Sequence, residues 1–254
     1  NLLALRPAER RRVIGQTAAL IPQDPLTALN PVRRIGPQIT RRLVDILGWS
    51  KGDAEARALE LLAEVHIPDP KRVMQSYPHE LSGGMRQRVG IAMALANDPD
   101  VIIADEPTTA LDVVVQREIL QKIYALKEEF VFSILFITHD FGVVAQLCDR
   151  VAVMYAGRIV EQGTTNEILA TPAHPYTRRL MACVPELGQG RRQLAAIPGL
   201  PPVVDKLPAG CAFADRCPKA ASACRSGDID LGPFGPARKI RCIDPEIPVQ
   251  EATA

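Results

Sequence analysis

Two short apolar runs, VIIAD (101–105) and SILFITHD (133–140), bracket a helical pattern, VVVQREILQKIYALKEEF (113–130). Wholly apolar, β-branched runs of this length suit parallel strands covered on both faces. Strand, helix and strand in that order restrict the chain to an α/β sheet. The neighbouring segments agree. TAALIPQDP (17–25) reads as a strand stopped by a Pro-Gln-Asp-Pro loop. Within 37–66, Ile39, Leu43, Ile46 and Leu47, then Ala58, Leu61, Leu62 and Val65, recur at helical spacing. RVAVMYAGRIVEQG (150–163) holds two β-prone runs around Ala156-Gly157, a hairpin signal. From about residue 171 proline becomes frequent and helical periodicity fades, so a partly extended, loop-rich C-terminal region is expected.

Composition narrows the class. With 254 residues, 47% of them hydrophobic, the chain can bury a substantial core. Its 30 Lys and Arg nearly balance 29 Asp and Glu, which argues against nucleic acid as the main partner. The basic run Arg10, Arg11 and Arg12 reads as a solvated helix face. No apolar stretch is long enough to span a bilayer, and the N-terminus has no signal-peptide pattern. The chain does not begin with Met, so a processed chain or a fragment is expected. Six cysteines without a secretory signal fit a reducing compartment, as ligands or buried thiols before disulfides.

ELSGGMRQR (80–88) raises the question of chemistry. Ser82 suits a helix N-cap, and Met85, Val89, Met93 and Ala96 can line one face of the helix that follows. Gly83 and Gly84 let backbone amides approach an anion, with the helix dipole adding positive character. A capped helix after a tight turn would look the same. At the end of VIIAD, Asp105 is placed to hold magnesium through water and Glu106 to polarise an attacking water. An acidic cap ahead of the next helix is the ordinary alternative. His139, after SILFIT, and Gln23, in PQDP, would be unremarkable alone.

Taken in order, Gln23, LSGGM, the strand ending Asp-Glu, Ala-Leu-Asp and Thr-His-Asp resemble the nucleotide-binding subunit of an ATP-binding-cassette transporter. The resemblance implies a RecA-like α/β cassette core with a helical subdomain at about 32–98 and a loop-rich, cysteine-containing C-terminal extension. It places the cassette at 1–165 and the extension at 166–254. It makes Gln23 the Q-loop residue, Leu81, Ser82, Gly83, Gly84 and Met85 the signature, and Asp105 and Glu106 the Walker B pair. Asp112 becomes the D-loop residue and His139 the switch histidine. ATP and magnesium are the implied cofactors. In this family two cassettes pair head to tail, so that the signature of one grips a nucleotide cradled by the phosphate loop of the other. No Gly-Lys pair occurs in this sequence. A phosphate loop is expected ahead of Gln23 in an N-terminally complete chain, and without that segment the apolar strands would lack part of their cover.

Three further stretches, QDPLTALNP (23–31), HPYTRRLMACVPEL (174–187) and IPGLPPVVDKLPAGCAFADRCPKAASAC (197–224), resemble peptide and nickel importers, the last most closely oligopeptide and dipeptide importers. Gln-Asp-Pro and ALDVVVQ look like the D-type subunit. The implied partners are an F-type second cassette, two membrane-spanning permease subunits and, indirectly, an extracytoplasmic substrate-binding protein. The implied location is peripheral, on the cytoplasmic face of the inner membrane. Nickel or another small solute is the alternative cargo, and a non-catalytic cassette that only lends its signature is the alternative role. Cys211, Cys217, Cys224 and Cys242 can hold zinc or an iron–sulfur cluster, or remain plain thiols. Some members of the family carry a [4Fe–4S] cluster there. Cys148 and Cys183 read as buried packing residues, and His174 and Tyr176 as structural.

Overall fold

Three strands, β1 (Ala18–Ile21), β2 (Val101–Asp105) and β3 (Ser133–Ile137), run parallel in the order β1-β2-β3. They belong to a computed structural model that describes residues 2–107, 116–118, 120, 121, 123–125, 132–183 and 196–246. Contacts divide the chain into two units, Asn1–His139 and Asp140–Ala254.

In the first unit, helix α1 (Pro7–Thr17) leads into β1. It exposes Arg11 and Arg12 and half-buries Arg10, the solvated face expected of that run. A short turn of helix, α2 (Pro25–Ala28), is capped by Asp24, whose carboxylate accepts from Leu26 N–H at 2.9 Å. The two helical patterns become α3 (Ile35–Asp45) and α4 (Lys51–Glu64). Ile35, Ile39 and Leu43 of α3 and Ala54, Ala58, Leu61 and Leu62 of α4 are buried, three or four residues apart, so each helix turns one stripe into the core. Helix α5 (Pro70–Gln75) approaches α3 closely: a Cβ on Gly36 would stand 2.9 Å from the Met74 carbonyl oxygen.

Helix α6 (Gly83–Leu95) carries a wider buried face than the expected stripe. Val89 is buried, but Met85 and Met93 are only half-buried, and Ala96 is the C-cap. Gln87, Ile91 and Ala94 form the deeper row. Residues 116–118, 120, 121 and 123–125 are helical, within the expected 113–130 helix.

The sheet departs from the expectation of cover on both faces. Ala19, Ile21, Ile102 and Ala104 are buried, whereas on the other face Leu20 is 58% and Leu135 56% exposed, with Val101 and Ile137 also open. Because side chains alternate along a strand, these residues form one apolar surface across the three strands.

The second unit opens with α7 (Phe141–Leu147), capped by Asp140. Strands β4 (Arg150–Tyr155) and β5 (Arg158–Thr164) form the predicted antiparallel hairpin. Ala156 and Gly157 take φ values of 47° and 77°, the positive pair that a two-residue turn of type I′ requires. Helices α8 (Thr165–Ala170) and α9 (Pro175–Ala182) follow, the latter in a region expected to be partly extended and loop-rich. Two short strands, β6 (Gly232–Pro233) and β7 (Lys239–Ile240), add to the hairpin edge in the order β4-β5-β7-β6.

One buried cluster ties the C-terminal chain to the hairpin. Glu161 of β5 is fully buried and accepts from the Ala173 N–H at 2.9 Å, the His174 N–H at 3.0 Å and Arg238 Nε at 3.1 Å. Arg238 also bonds the Thr171 carbonyl. Tyr155, Tyr176 and Phe213 pack beside this cluster at ring separations of 4.6 to 5.3 Å. A buried ion pair is strongly missed when one partner alone is removed. Glu161→Ala should therefore cost roughly 3–5 kcal/mol in urea unfolding, and combining Glu161→Leu with Arg238→Met should recover only part of that loss, because the Ala173 and His174 N–H groups stay unpaired. A loss below about 1 kcal/mol for Glu161→Ala would show that the pair contributes nothing beyond an exposed bridge.

Candidate functional site

Parallel register places the residues that follow each strand along one edge. Ile21 pairs with Ala104, and Asp105 with Ile137. Continuing each chain a step or two beyond the ladder brings Gln23, Glu106 and His139 to the carboxyl ends of β1, β2 and β3, where open α/β sheets bind ligands.

The three side chains meet there. Gln23 Nε2 donates to Glu106 Oε2 at 2.9 Å, and His139 Nδ1 lies 3.2 Å from Glu106 Oε1. Glu106 is the centre of the group and is partly shielded, while His139 is largely exposed. The main chain fixes this carboxylate. Glu106 N–H donates to the Ile137 carbonyl at 2.9 Å, extending the β2–β3 ladder by one bond. Its φ is +42°, a left-handed conformation that a side chain with a Cβ adopts at a cost of about 1–2 kcal/mol. That turn swings the carboxylate away from the strand direction. A carboxylate so aimed, with an amide donor on one oxygen and an imidazole at the other, can accept a proton from water. Asp105, the residue before it, is half-buried at the last pair of the β2–β3 ladder.

The residues expected to form the signature, Leu81 to Met85, are a separate group. Ser82 caps α6, its Oγ accepting from Met85 N–H at 3.3 Å. Leu81 is buried, and its carbonyl accepts from Arg86 Nη1 at 2.6 Å. Gly83 and Gly84 form the first turn, and a Cβ on Gly83 would meet nothing within 4 Å. The capped-helix reading is thus correct as far as it goes, and it leaves an open backbone at the helix start. Asp112 lies outside the described residues.

Gln87 was not singled out from sequence. It is 2% exposed, and its Nε2 donates to the Pro107 carbonyl at 2.6 Å. The available signal was an amide at the head of an apolar row, Gln87, Ile91 and Ala94, where an unpaired polar group would be costly.

In the second unit Cys211, Cys217, Cys224 and Cys242 line one cavity with His174 and Phe213. Cys211 N–H donates to the Cys224 carbonyl at 2.8 Å, and a Cβ on Gly210 would fall 2.2 Å from that oxygen, so glycine permits the approach. Burial, reinforced by the neighbouring thiols, pushes the Cys242 thiol up to about 11 and raises Cys211 and Cys217. Burial also drives the His174 imidazole down to about 4, against the pull of Glu161. His174 Nδ1 caps α9 by accepting from Tyr176 N–H, which bears out the structural reading. Among the described residues no group of His, Cys, Asp or Glu is arranged to hold a metal ion. Cys148 and Cys183 are half-buried helix C-caps rather than buried packing residues, because α7 and α9 end at the preceding residues.

Comparison with known proteins now bears on this arrangement. Residues 4–109 match the ABC transporter family, and residues 160–224 match the oligopeptide/dipeptide transporter C-terminal region. The probable peptide ABC transporter ATP-binding protein y4tR of Sinorhizobium fredii is 50% identical over 244 residues, covering 95% of this chain and 72% of its own. The dipeptide transport ATP-binding protein DppD of Haemophilus influenzae is 44% identical, covering 96% and 74%. A dimeric cassette, MJ0796, solved in a post-hydrolysis state with ADP and phosphate, aligns with a TM-score of 0.57 at 29% identity, covering 64% of this chain and 68% of its own. The chain belongs to the ATP-binding-cassette family, among the ATP-binding proteins of oligopeptide/dipeptide transporters.

Ser82→Ala should cost about 1 kcal/mol through the lost cap, and Ser82→Asp should restore it. Thermal unfolding checks this, and equal stability of all three forms would contradict the cap geometry.

Proposed function

We propose that this chain is one of two paired ATP-hydrolysing cassettes that drive a peptide importer. The meeting of Gln23, Glu106 and His139 at one sheet edge carries the reading. Glu106 takes a proton from water as that water attacks the γ-phosphorus of ATP, the bond to the bridging oxygen breaks, and ADP and phosphate result. His139 contacts the γ-phosphate, and Gln23 orients the carboxylate. Asp105 is the residue that would hold magnesium through water, and the ion would offset charge on the phosphates. A half-buried carboxylate at a strand end suits that use. Leu81 to Met85 grip the nucleotide of the second cassette, with Asp112 near the same interface. The dimeric state of the ADP- and phosphate-bound relative supports this pairing.

The cargo reading follows the relatives, several of which are named as peptide or dipeptide transport proteins. An F-type second cassette, two permease subunits and a binding protein complete the assembly. Residues 1–165 serve as cassette and 166–254 as extension, at the cytoplasmic face of the membrane. Among the described residues no helix is long and apolar enough to cross a bilayer, which fits a peripheral seat.

In the assembled transporter, Glu106→Gln should lower ATP turnover by about 10²–10⁴-fold while leaving ATP binding in place. Ser82→Asp should keep its cap yet stop turnover, because it sets a negative charge against phosphate. Undiminished turnover in either variant would contradict the assigned roles.

The four-cysteine cavity supports a second, finer reading, a [4Fe–4S] cluster in the extension. Four thiols lining one space supply suitable donor chemistry. As arranged, the space is only about 20 Å³, so the cysteines must move apart to admit a cluster. Anaerobic reconstitution with iron and sulfide should give a brown protein whose visible absorption is lost in Cys217→Ser. A colourless product would overturn this reading without touching the cassette chemistry.

A further inference from the structure

Gln87 belongs to α6, the helix that begins at the signature, yet its one described bond leads to the turn beside Glu106. Glu106 and Pro107 are held from two sides. The Ile137 carbonyl at the end of β3 accepts the Glu106 N–H at 2.9 Å, and Gln87 Nε2 donates to the Pro107 carbonyl at 2.6 Å. Between these two anchors Glu106 keeps its φ of +42°. A residue in that region returns to an ordinary backbone conformation unless its surroundings fix it. The Pro107 carbonyl is the anchor that lies outside the sheet. Its donor is buried, so an apolar side chain of the same length in that place would leave the carbonyl without this bond.

We infer that Gln87 is a positioning residue for Glu106: it clamps the Glu106-Pro107 turn and so aims the carboxylate at the edge where Gln23 and His139 meet it. The inference rests on the proposed role of Glu106. It adds a link between two parts of the machine, because the helix that presents the signature also holds the turn carrying this chain's own carboxylate. A shift of α6 is passed through one side-chain amide to the proton acceptor.

The experiment is a double-mutant cycle in the assembled transporter, with Gln87→Met as the variant of matched length that lacks the donor. In the otherwise unaltered protein it should lower kcat by about 10-fold or more and leave KM for ATP within about two-fold. In a Glu106→Gln background, the same substitution should cause no further loss of residual hydrolysis, because its effect acts through the carboxylate that is already gone. Gln87→Asn, which keeps an amide one methylene shorter, runs the same cycle should the Met variant not fold. Full kcat in the Met variant, a rise in KM with kcat unchanged, or an equal fold-loss in the Glu106→Gln background would each overturn the inference. Undiminished turnover in Glu106→Gln alone would instead overturn the role given to Glu106, so the two failures are told apart.

Discussion

The register of three parallel strands is the constraint on which the site depends. Ile21 opposite Ala104 and Asp105 opposite Ile137 bring residues far apart in sequence to one edge. A slip of one residue would turn the side chains of the moved strand to the other face, and would part Gln23 from Glu106 in the β1–β2 pairing or His139 from Glu106 in the β2–β3 pairing. The apolar side chains that hold the register, Ala19, Ile21, Ile102 and Ala104, are buried on the face away from Leu20 and Leu135. Packing on one side of the sheet thus fixes chemistry at its end.

The edge stores strain as well as geometry. Glu106 stands in a left-handed conformation that would relax were its two neighbouring backbone groups not bonded to Ile137 and Gln87. Burial of an amide that must find a partner is costly, and here the partner is the turn that aims the carboxylate. The second unit uses the same device for a different end. There a buried carboxylate, Glu161, gathers two backbone amides and Arg238 to fasten the C-terminal chain to a hairpin.

Much of this was legible in the sequence, for physical reasons that differ by element. The hairpin was readable because Gly157 between β-prone runs tolerates the positive φ of its turn, which Ala156 adopts at a cost. Helices α3 and α4 were readable because Ile39 and Leu43, then Ala58, Leu61 and Leu62, keep helical spacing, although Ile46 and Leu47 of the same pattern lie past the end of α3 and Ile46 is exposed. Gln23, Glu106 and His139 were readable only as a series, since each is ordinary alone and their contact depends on register. Gln87 and Glu161 were missed: a buried polar side chain looks like a surface one until its partner, distant in sequence, is known. Apolar composition in β2 and β3 predicted burial on both faces, but composition cannot say what lies across a strand. The short helix α9 begins at Pro175, at a first turn where proline favours a helix, inside a region read as partly extended and loop-rich.

The proposed account has a single chain serving two nucleotides, with its strand ends on one and its α6 start on another. A structure of the assembled transporter trapped with ATP tests this most directly. The account predicts that Glu106 faces the γ-phosphate of one ATP while Ser82 of the same chain bonds the phosphate of the second. Finding Glu106 and Ser82 of one chain on the same nucleotide would contradict it.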